Sequence, residues 1–271
     1  MLPAMAGALL LYLACGALAG LLAGLLGVGG GLIVVPSLLV AFAWLGFPPD
    51  SATHLAIGTS LATIVPTGLA SARAHQRRGA LDWPTVARMS PGLVVGSVTG
   101  GLLARRLDGA WLSAAFGLFT WFVAWRLLRR SLVRESACRR AGGAFPLAVG
   151  FGIGALSALV GIGGGTLSVP WLHRRGLRIA HAVATSSALG VPIALAGALT
   201  YAWAGMAARG LPPGATGFVY WPAFAGVIAA SVACAPFGAW LAHRIDTVRL
   251  KQLFALFLLV IGARLLFSSV S

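Results

Sequence analysis

Five acidic residues are all this chain of 271 carries: Asp50, Asp82, Asp108, Glu135 and Asp246. Each falls at the end of an apolar run or between runs. None stands in the middle of one, where proton relays and cation sites place their carboxylates, which argues against a cation as cargo. Cysteine is scarce too. Cys15, Cys138 and Cys234 show no CxxC spacing, so neither a disulfide framework nor a metal site is indicated, and no cofactor is expected. The five histidines, His54, His75, His173, His181 and His243, are scattered near segment ends. They read as loop-solvated, with proton coupling as the alternative. A catalytic constellation of nucleophile and base, or of metal ligands, is missing from every apolar run, which argues against an enzyme. Leu13-Ala14-Cys15-Gly16 has the look of a lipoprotein signal, but no basic region precedes it, so it reads as part of a retained helix.

What the chain has instead is hydrocarbon. Hydrophobic residues make up 59% and charged ones 9%, with a mean hydropathy of +0.92. Apolar runs of about 20 residues recur along the whole length, enough to span a bilayer as helices. This composition describes an all-α polytopic membrane protein with little mass outside the membrane. The net charge of +15 comes from 19 Arg and one Lys clustered between the runs. It therefore reads as a topology signal and as contact with anionic membrane lipids, and not as a nucleic-acid surface.

The runs fall at 5–26, 32–46, 52–72, 83–104 and 110–130, then at 144–160, 166–173, 180–205, 218–242 and 249–268. Residues 1–130 form a first transmembrane repeat, 131–143 a basic linker and 144–271 a second repeat. The halves match in pieces. Gly27-Val28-Gly29-Gly30-Gly31 and Pro36 match Gly161-Ile162-Gly163-Gly164-Gly165 and Pro170 at an offset of 134. Thr59-Ser60 and Pro66 match Thr185-Ser186 and Pro192 at 126. Trp83-Pro84 matches Trp221-Pro222 at 138, and the match continues through Asp108/Asp246 to Arg126-Leu127-Leu128/Arg264-Leu265-Leu266.

Sidedness follows from the basic residues. With an odd number of crossings per half, 16 of the 20 fall on one side and only Arg105, Arg106, Arg209 and Arg264 on the other. The rich side is assigned to the cytoplasm, and the two repeats are then inverted. Runs 32–46 and 166–173 are short for full spans at about 1.5 Å of rise per residue. Each half is therefore expected to hold a V-shaped, re-entrant element whose limbs meet at the glycine loop, although ten ordinary crossings give the same sidedness.

A broken helix in lipid is costly unless the exposed backbone is buried in protein or lines a cavity. Paired breaks in two halves are the sequence mark of a transporter's binding site. Consecutive glycines let backbone approach a ligand. The helix starts at Gly31-Leu32 and Gly165-Thr166 offer free N–H groups and a positive dipole end to an anion. Gly16, Gly20 and Gly24, with Gly150, Gly154 and Ala158, have the spacing of helix-packing stripes. Pro36 and Pro170 lie beyond the first turn, either as plain kinks or as the means of freeing a carbonyl. Thr59, Ser60, Thr185 and Ser186 sit inside apolar helices, as hydroxyl donors to an anion or bonded within their own helices. The candidate substrate-binding residues are thus Gly27, Gly29, Gly30, Gly31, Leu32, Pro36, Thr59 and Ser60. In the second half they are Gly161, Gly163, Gly164, Gly165, Thr166, Pro170, Thr185 and Ser186.

The stretch from Leu25 through Gly27-Val28-Gly29-Gly30-Gly31 to Pro36, repeated from Leu159 to Pro170, resembles the TauE/SafE family of sulfite and organosulfur anion exporters. Ile57-Gly58-Thr59-Ser60-Leu61-Ala62 is similar to that family's second characteristic stretch. In the second half Ala184 replaces Gly58. The resemblance covers essentially the whole chain. It implies a bacterial inner-membrane permease of about eight transmembrane helices, carrying sulfite or a related small anion. The expected activity is secondary transport of such an anion near the midplane, with a coupling proton as a further partner. A passive anion channel on the same scaffold is the alternative, and an intramembrane enzyme or assembly factor a more distant one. Valine at Gly30 or Gly164 is expected to abolish transport. Exact substrate, direction of transport and oligomeric state are not legible in the sequence.

Overall fold

The computed structural model describes residues 2–26, 30–129, 145–242 and 247–268; the basic linker and Gly27, Val28 and Gly29 lie outside them. Its described residues form α1 (Leu2–Leu26), α2 (Gly31–Trp44), α3 (Pro49–Arg77), α4 (Trp83–Ala104) and α5 (Gly109–Arg129) in the first half. The second half has α6 (Phe145–Val160), α7 (Gly165–Arg174), α8 (Ile179–Ala204), α9 (Trp221–Ala242) and α10 (Thr247–Ser268). A hairpin of β1 (Ala215–Thr216) and β2 (Val219–Tyr220) joins α8 to α9. Among the described residues, α3, α4, α5 and α8 are long and apolar enough to cross a membrane, and shorter apolar stretches lie in α1, α2, α6, α9 and α10. This is an integral membrane protein. Its exposed large apolar side chains are mainly leucine, tryptophan, valine and phenylalanine, with Trp44, Trp83, Trp111, Trp203 and Trp221 at helix ends, as interfacial anchoring requires.

Local chemistry sets the helix limits. α3 opens on Pro49 with Asp50 in the first turn, and α4 on Asp82, whose carboxylate accepts from the Thr85 N–H (3.4 Å) and hydroxyl (2.7 Å). Proline suits the first helical turn because its missing N–H has no partner there in any case. α3 closes at Gly79, left-handed at φ +65°, with Gly79 and Ala80 donating back to Gln76 and His75, a glycine helix stop.

Helices at matching places in the two halves pack crosswise. α1 lies on α9 and α6 on α4, while α3 pairs with α8 and α5 with α10. Small residues make the first two contacts. A Cβ on Gly16 would sit 2.8 Å from Val227 Cα, and one on Gly150 2.8 Å from the Met89 carbonyl. Gly92, Gly96 and Gly100 of α4 meet the α6 backbone at Leu147, Phe151 and Ala155 more closely than any side chain permits. Close backbone approach of this kind drives helix association in lipid.

The two short helices fold back on their predecessors. Tyr12 of α1 meets Phe42 of α2 edge-on (6.3 Å between centroids), and the Cys15 thiol donates to the Ser37 carbonyl. In the second half the Arg175 guanidinium, just past α7, lies 5.6 Å from the Phe145 ring at the start of α6. The α1–α2 pair opens where α3 begins. The α6–α7 pair opens beside Thr85 and Arg88 at the start of α4, which is the other end of α3.

Candidate functional site

The two glycine segments meet. A Cβ on Gly31 would lie 2.7 Å from the Gly161 carbonyl and 3.0 Å from Ile162 Cα. Gly161 itself is left-handed (φ +73°), turning the chain off α6, and a Cβ there would press on Val35 of α2 and Ile57 of α3. Ile64 of α3 fills the space between Gly31 and Gly163. The helix starts that follow share one pattern. The Gly30 carbonyl accepts from Ile33 (3.0 Å) and Val34 (2.9 Å); the Gly164 carbonyl accepts from Leu167 (3.0 Å) and Ser168 (2.8 Å). Neither start has a side-chain cap. The amides of Gly31 and Leu32, and of Gly165 and Thr166, precede the first intrahelical bonds, where donors are left over and the dipole is positive.

The two starts differ in what surrounds them. Gly164 is left-handed (φ +71°), whereas Gly30 is right-handed helical (φ −65°). At the second loop two hydroxyls are buried without a partner among the described residues, Ser157 Oγ and Thr166 Oγ1. Ser157, the lone hydroxyl of α6, is 2% exposed, and a Cβ on Gly164 would lie 3.4 Å from its oxygen. The residues 134 positions earlier are Ala23 and Leu32, so the first loop has no counterpart. An unsatisfied buried hydroxyl is rare and costs about 1–3 kcal/mol. Ser157 Oγ faces Gly164 and Thr166 stands in the first turn of α7, so both hydroxyls lie beside one uncapped helix start.

The Thr-Ser pairs are already hydrogen-bonded within the protein. Ser60 Oγ donates to the Gly161 carbonyl (2.9 Å), joining α3 to the other half's loop. Ser168 Oγ donates to the Gly164 carbonyl (2.8 Å) and lies 2.7 Å from Ser186 Oγ. Ser168 has a single hydroxyl proton, so Ser186 is the donor in that pair. Thr59 Oγ1 accepts from the Tyr220 N–H (3.0 Å), and Thr185 Oγ1 from the Asp82 N–H (3.1 Å). Tyr220 and Asp82 lie 138 apart, immediately before the two Trp-Pro starts. Each half's threonine thus holds the helix entry of the other half. All four side chains are buried.

Pro36 and Pro170 are buried inside α2 and α7. Lacking an N–H, they leave the Leu32 and Thr166 carbonyls without the usual donor four residues on. The structure thus gathers Gly31, Ser60, Gly161 and Gly163 at one contact, and Gly164, Gly165, Thr166 and Ser186 at the start of α7. Thr59 and Thr185 point to helix entries. Ser157 and Ser168 escape repeat-based reading because their partners at offset 134, Ala23 and Val34, carry no hydroxyl. The signal for Ser157 was its isolation in an otherwise apolar helix. His54 is not loop-solvated as its place near a helix start suggests; it is 6% exposed, because the β1–β2 hairpin covers it.

Comparison with known proteins agrees with this architecture. The family model described as "Sulfite exporter TauE/SafE" matches residues 12–265. A "Probable membrane transporter protein" of Haemophilus influenzae is 34% identical over 257 residues, covering 94% of this chain and 96% of its own. The "Probable membrane transporter protein YunE" of Bacillus subtilis is 29% identical, over 57% of this chain and 63% of its own. A similarly named protein of Methanocaldococcus jannaschii is 29% identical over 70% of both.

Proposed function

The chain belongs to the sulfite exporter TauE/SafE family, and we propose from that premise a secondary transporter that moves a small sulfur-containing oxyanion across the bacterial inner membrane. Sulfite and organosulfonates are the substrate class. The observation that carries this reading is the orphaned pair Ser157 Oγ and Thr166 Oγ1 beside the uncapped start of α7. An oxyanion presents several acceptor oxygens and no donors. The two hydroxyls and the amides of Gly165 and Thr166 present donors and no fixed charge. Neutral donors at a helix start bind an anion without fixing it as an arginine fork does, which suits a site that must also release. Gly30, Gly31 and Leu32 supply the matching wall from the first half; Gly27 and Gly29, expected there from the sequence, lie outside the described residues. Pro36 and Pro170 leave the Leu32 and Thr166 carbonyls without an intrahelical donor beside the loops, while Thr59, Ser60, Thr185 and Ser186 hold the frame.

Inverted repeats are part of the same proposal. The α1–α2 and α6–α7 pairs opening at opposite ends of α3, and the reciprocal threonine bonds, support it. Alternating access then follows from rocking one folded-back pair against the other. The test is sulfite flux in proteoliposomes. A transporter saturates with sulfite and shows counterflow when sulfite is loaded inside. A passive channel on this scaffold shows neither.

A further inference from the structure

His54 lies one turn into α3 with both ring nitrogens against carbonyl oxygens. Nδ1 is 3.1 Å from the Asp50 carbonyl, and Nε2 is 3.0 Å from that of Ala104. A carbonyl oxygen only accepts. A neutral imidazole has one donor and one acceptor nitrogen, so either tautomer would set a lone pair against a lone pair. The ring meets both contacts as donors only when both nitrogens carry protons. Ala104 ends α4, where the dipole is negative; its carbonyl also accepts from the Leu107 N–H (3.1 Å). The face of the ring lies on Phe218 (4.8 Å between centroids, 30° between planes), an arrangement that attracts a cation.

Phe218 is the link outward. It stands between β1 and β2, and its N–H donates to the Tyr201 carbonyl of α8 (3.2 Å). The next residue but one, Tyr220, donates to Thr59. Gly58, four residues past His54, leaves room for the Phe218 carbonyl, which comes closer there than any Cβ allows. At the matching place in the second half Ala184 stands where no such hairpin packs. The charged groups around His54 are Asp50 on its own helix, Arg105 and Arg106 after Ala104, and Asp108 before α5, all four exposed. Arg105 stacks on Trp203 (5.8 Å). α5 contributes an uncharged neighbour, Ser113, bonded to Thr53 (2.9 Å), and α8 contributes Tyr201.

We propose that His54 is a proton-binding site, and that the proton it takes is the ion coupled to anion movement. The protonation rests on the two carbonyl contacts; the coupling rests on the transporter reading above. With the proton bound, His54 ties α3, the end of α4 and the hairpin together and closes the end of the bundle where α3 begins. Loss of the proton turns a lone pair on one carbonyl. The ring then leaves that position, and Phe218 and the hairpin are released.

The test is nuclear magnetic resonance of 15N-histidine in lipid-embedded protein, with the other four histidines replaced by glutamine. The expected result is a His54 ring with two protonated nitrogens at acid pH that loses one as pH rises. Over the same step amide exchange in residues 215–220, corrected for its intrinsic pH dependence, rises at least tenfold. A single neutral tautomer at every pH where the protein is folded would overturn the proposal. So would a titration that leaves hairpin exchange unchanged. In proteoliposomes, His54→Gln is expected to keep sulfite binding and lose at least tenfold of the acceleration that a pH gradient gives sulfite flux; undiminished acceleration overturns the coupling. If sulfite neither stabilises nor crosses with the wild-type chain, the anion reading fails, while the titration still decides His54.

Discussion

Ser60 Oγ donates to the carbonyl of Gly161 across 2.9 Å, from the third helix of the first half to the glycine loop of the second. Both groups are buried, and the carbonyl faces Gly31 from the other side. Ser60→Ala removes the donor and leaves an unsatisfied carbonyl, at a cost of about 1–3 kcal/mol. Thermal unfolding of the purified variant is expected to shift down accordingly. An unchanged midpoint would mean that the carbonyl finds another donor.

Thr59 and Thr185 make a reciprocal pair of bonds, each accepting from the amide before the other half's Trp-Pro helix. Valine at either position keeps the shape and strands an N–H, so each variant should lose roughly 1–3 kcal/mol. Serine keeps the bond and should lose less. The two share no partner, so the double variant Thr59→Val/Thr185→Val should show the sum of the single losses. Denaturant or thermal titration in detergent reads this directly.

Glycines differ sharply in what they face. Among the described residues a Cβ on Gly152 meets nothing within 4 Å, while Gly154, half a turn on, lies against the Leu93 carbonyl and a Cβ there would sit 2.9 Å from the Ser97 amide. Gly154→Val should separate α6 from α4 and abolish the monodisperse folded protein. Gly152→Val should be nearly silent in size-exclusion chromatography and melting.

The paired positions Gly30 and Gly164 also part company. Gly164 has a positive φ, and a Cβ there would come 2.6 Å from Ile193 Cδ1; Gly164→Val therefore strains the fold itself. Gly30 is helical, with Val34 Cγ2 at 3.7 Å the one neighbour within 4 Å of a Cβ among the described residues. Gly30→Val should fold, so its sulfite flux is the interpretable one, and the expected outcome is a loss of flux with the melting point preserved.

Much of this was legible in the chain because lipid allows few alternatives to helix. Most apolar runs match a helix to within about three residues, although run 52–72 stops five short of the end of α3, and α2 and α7 are short helices as runs 32–46 and 166–173 are short. The Trp83-Pro84 match also marks where α9 begins, at Trp221, although hydropathy alone extends that run back to 218. Phe218 and Val219 are apolar yet belong to a hairpin, and periodicity cannot see that Phe218 covers His54. The glycine loops were visible as repeats, but the feature that separates them, Ser157 with Thr166, breaks the repeat. Hydroxyl partners depend on crosswise packing of the halves, which no local pattern encodes.

The oxyanion proposed at the start of α7 sits between Ser157 and Thr166. Ser157→Ala separates stability from binding. It removes a buried hydroxyl that lacks a partner, so without ligand the variant should melt at or above the wild-type midpoint. The decisive measurement is the melting midpoint of both proteins against sulfite, sulfate, thiosulfate, sulfoacetate, taurine, phosphate and chloride. For the wild type, a sulfur oxyanion should give a saturable rise, worth about 2.7 kcal/mol at a hundred times its Kd. In Ser157→Ala the same rise should need at least tenfold more anion. No rise with any of these anions, or an identical titration in Ser157→Ala, would contradict the account.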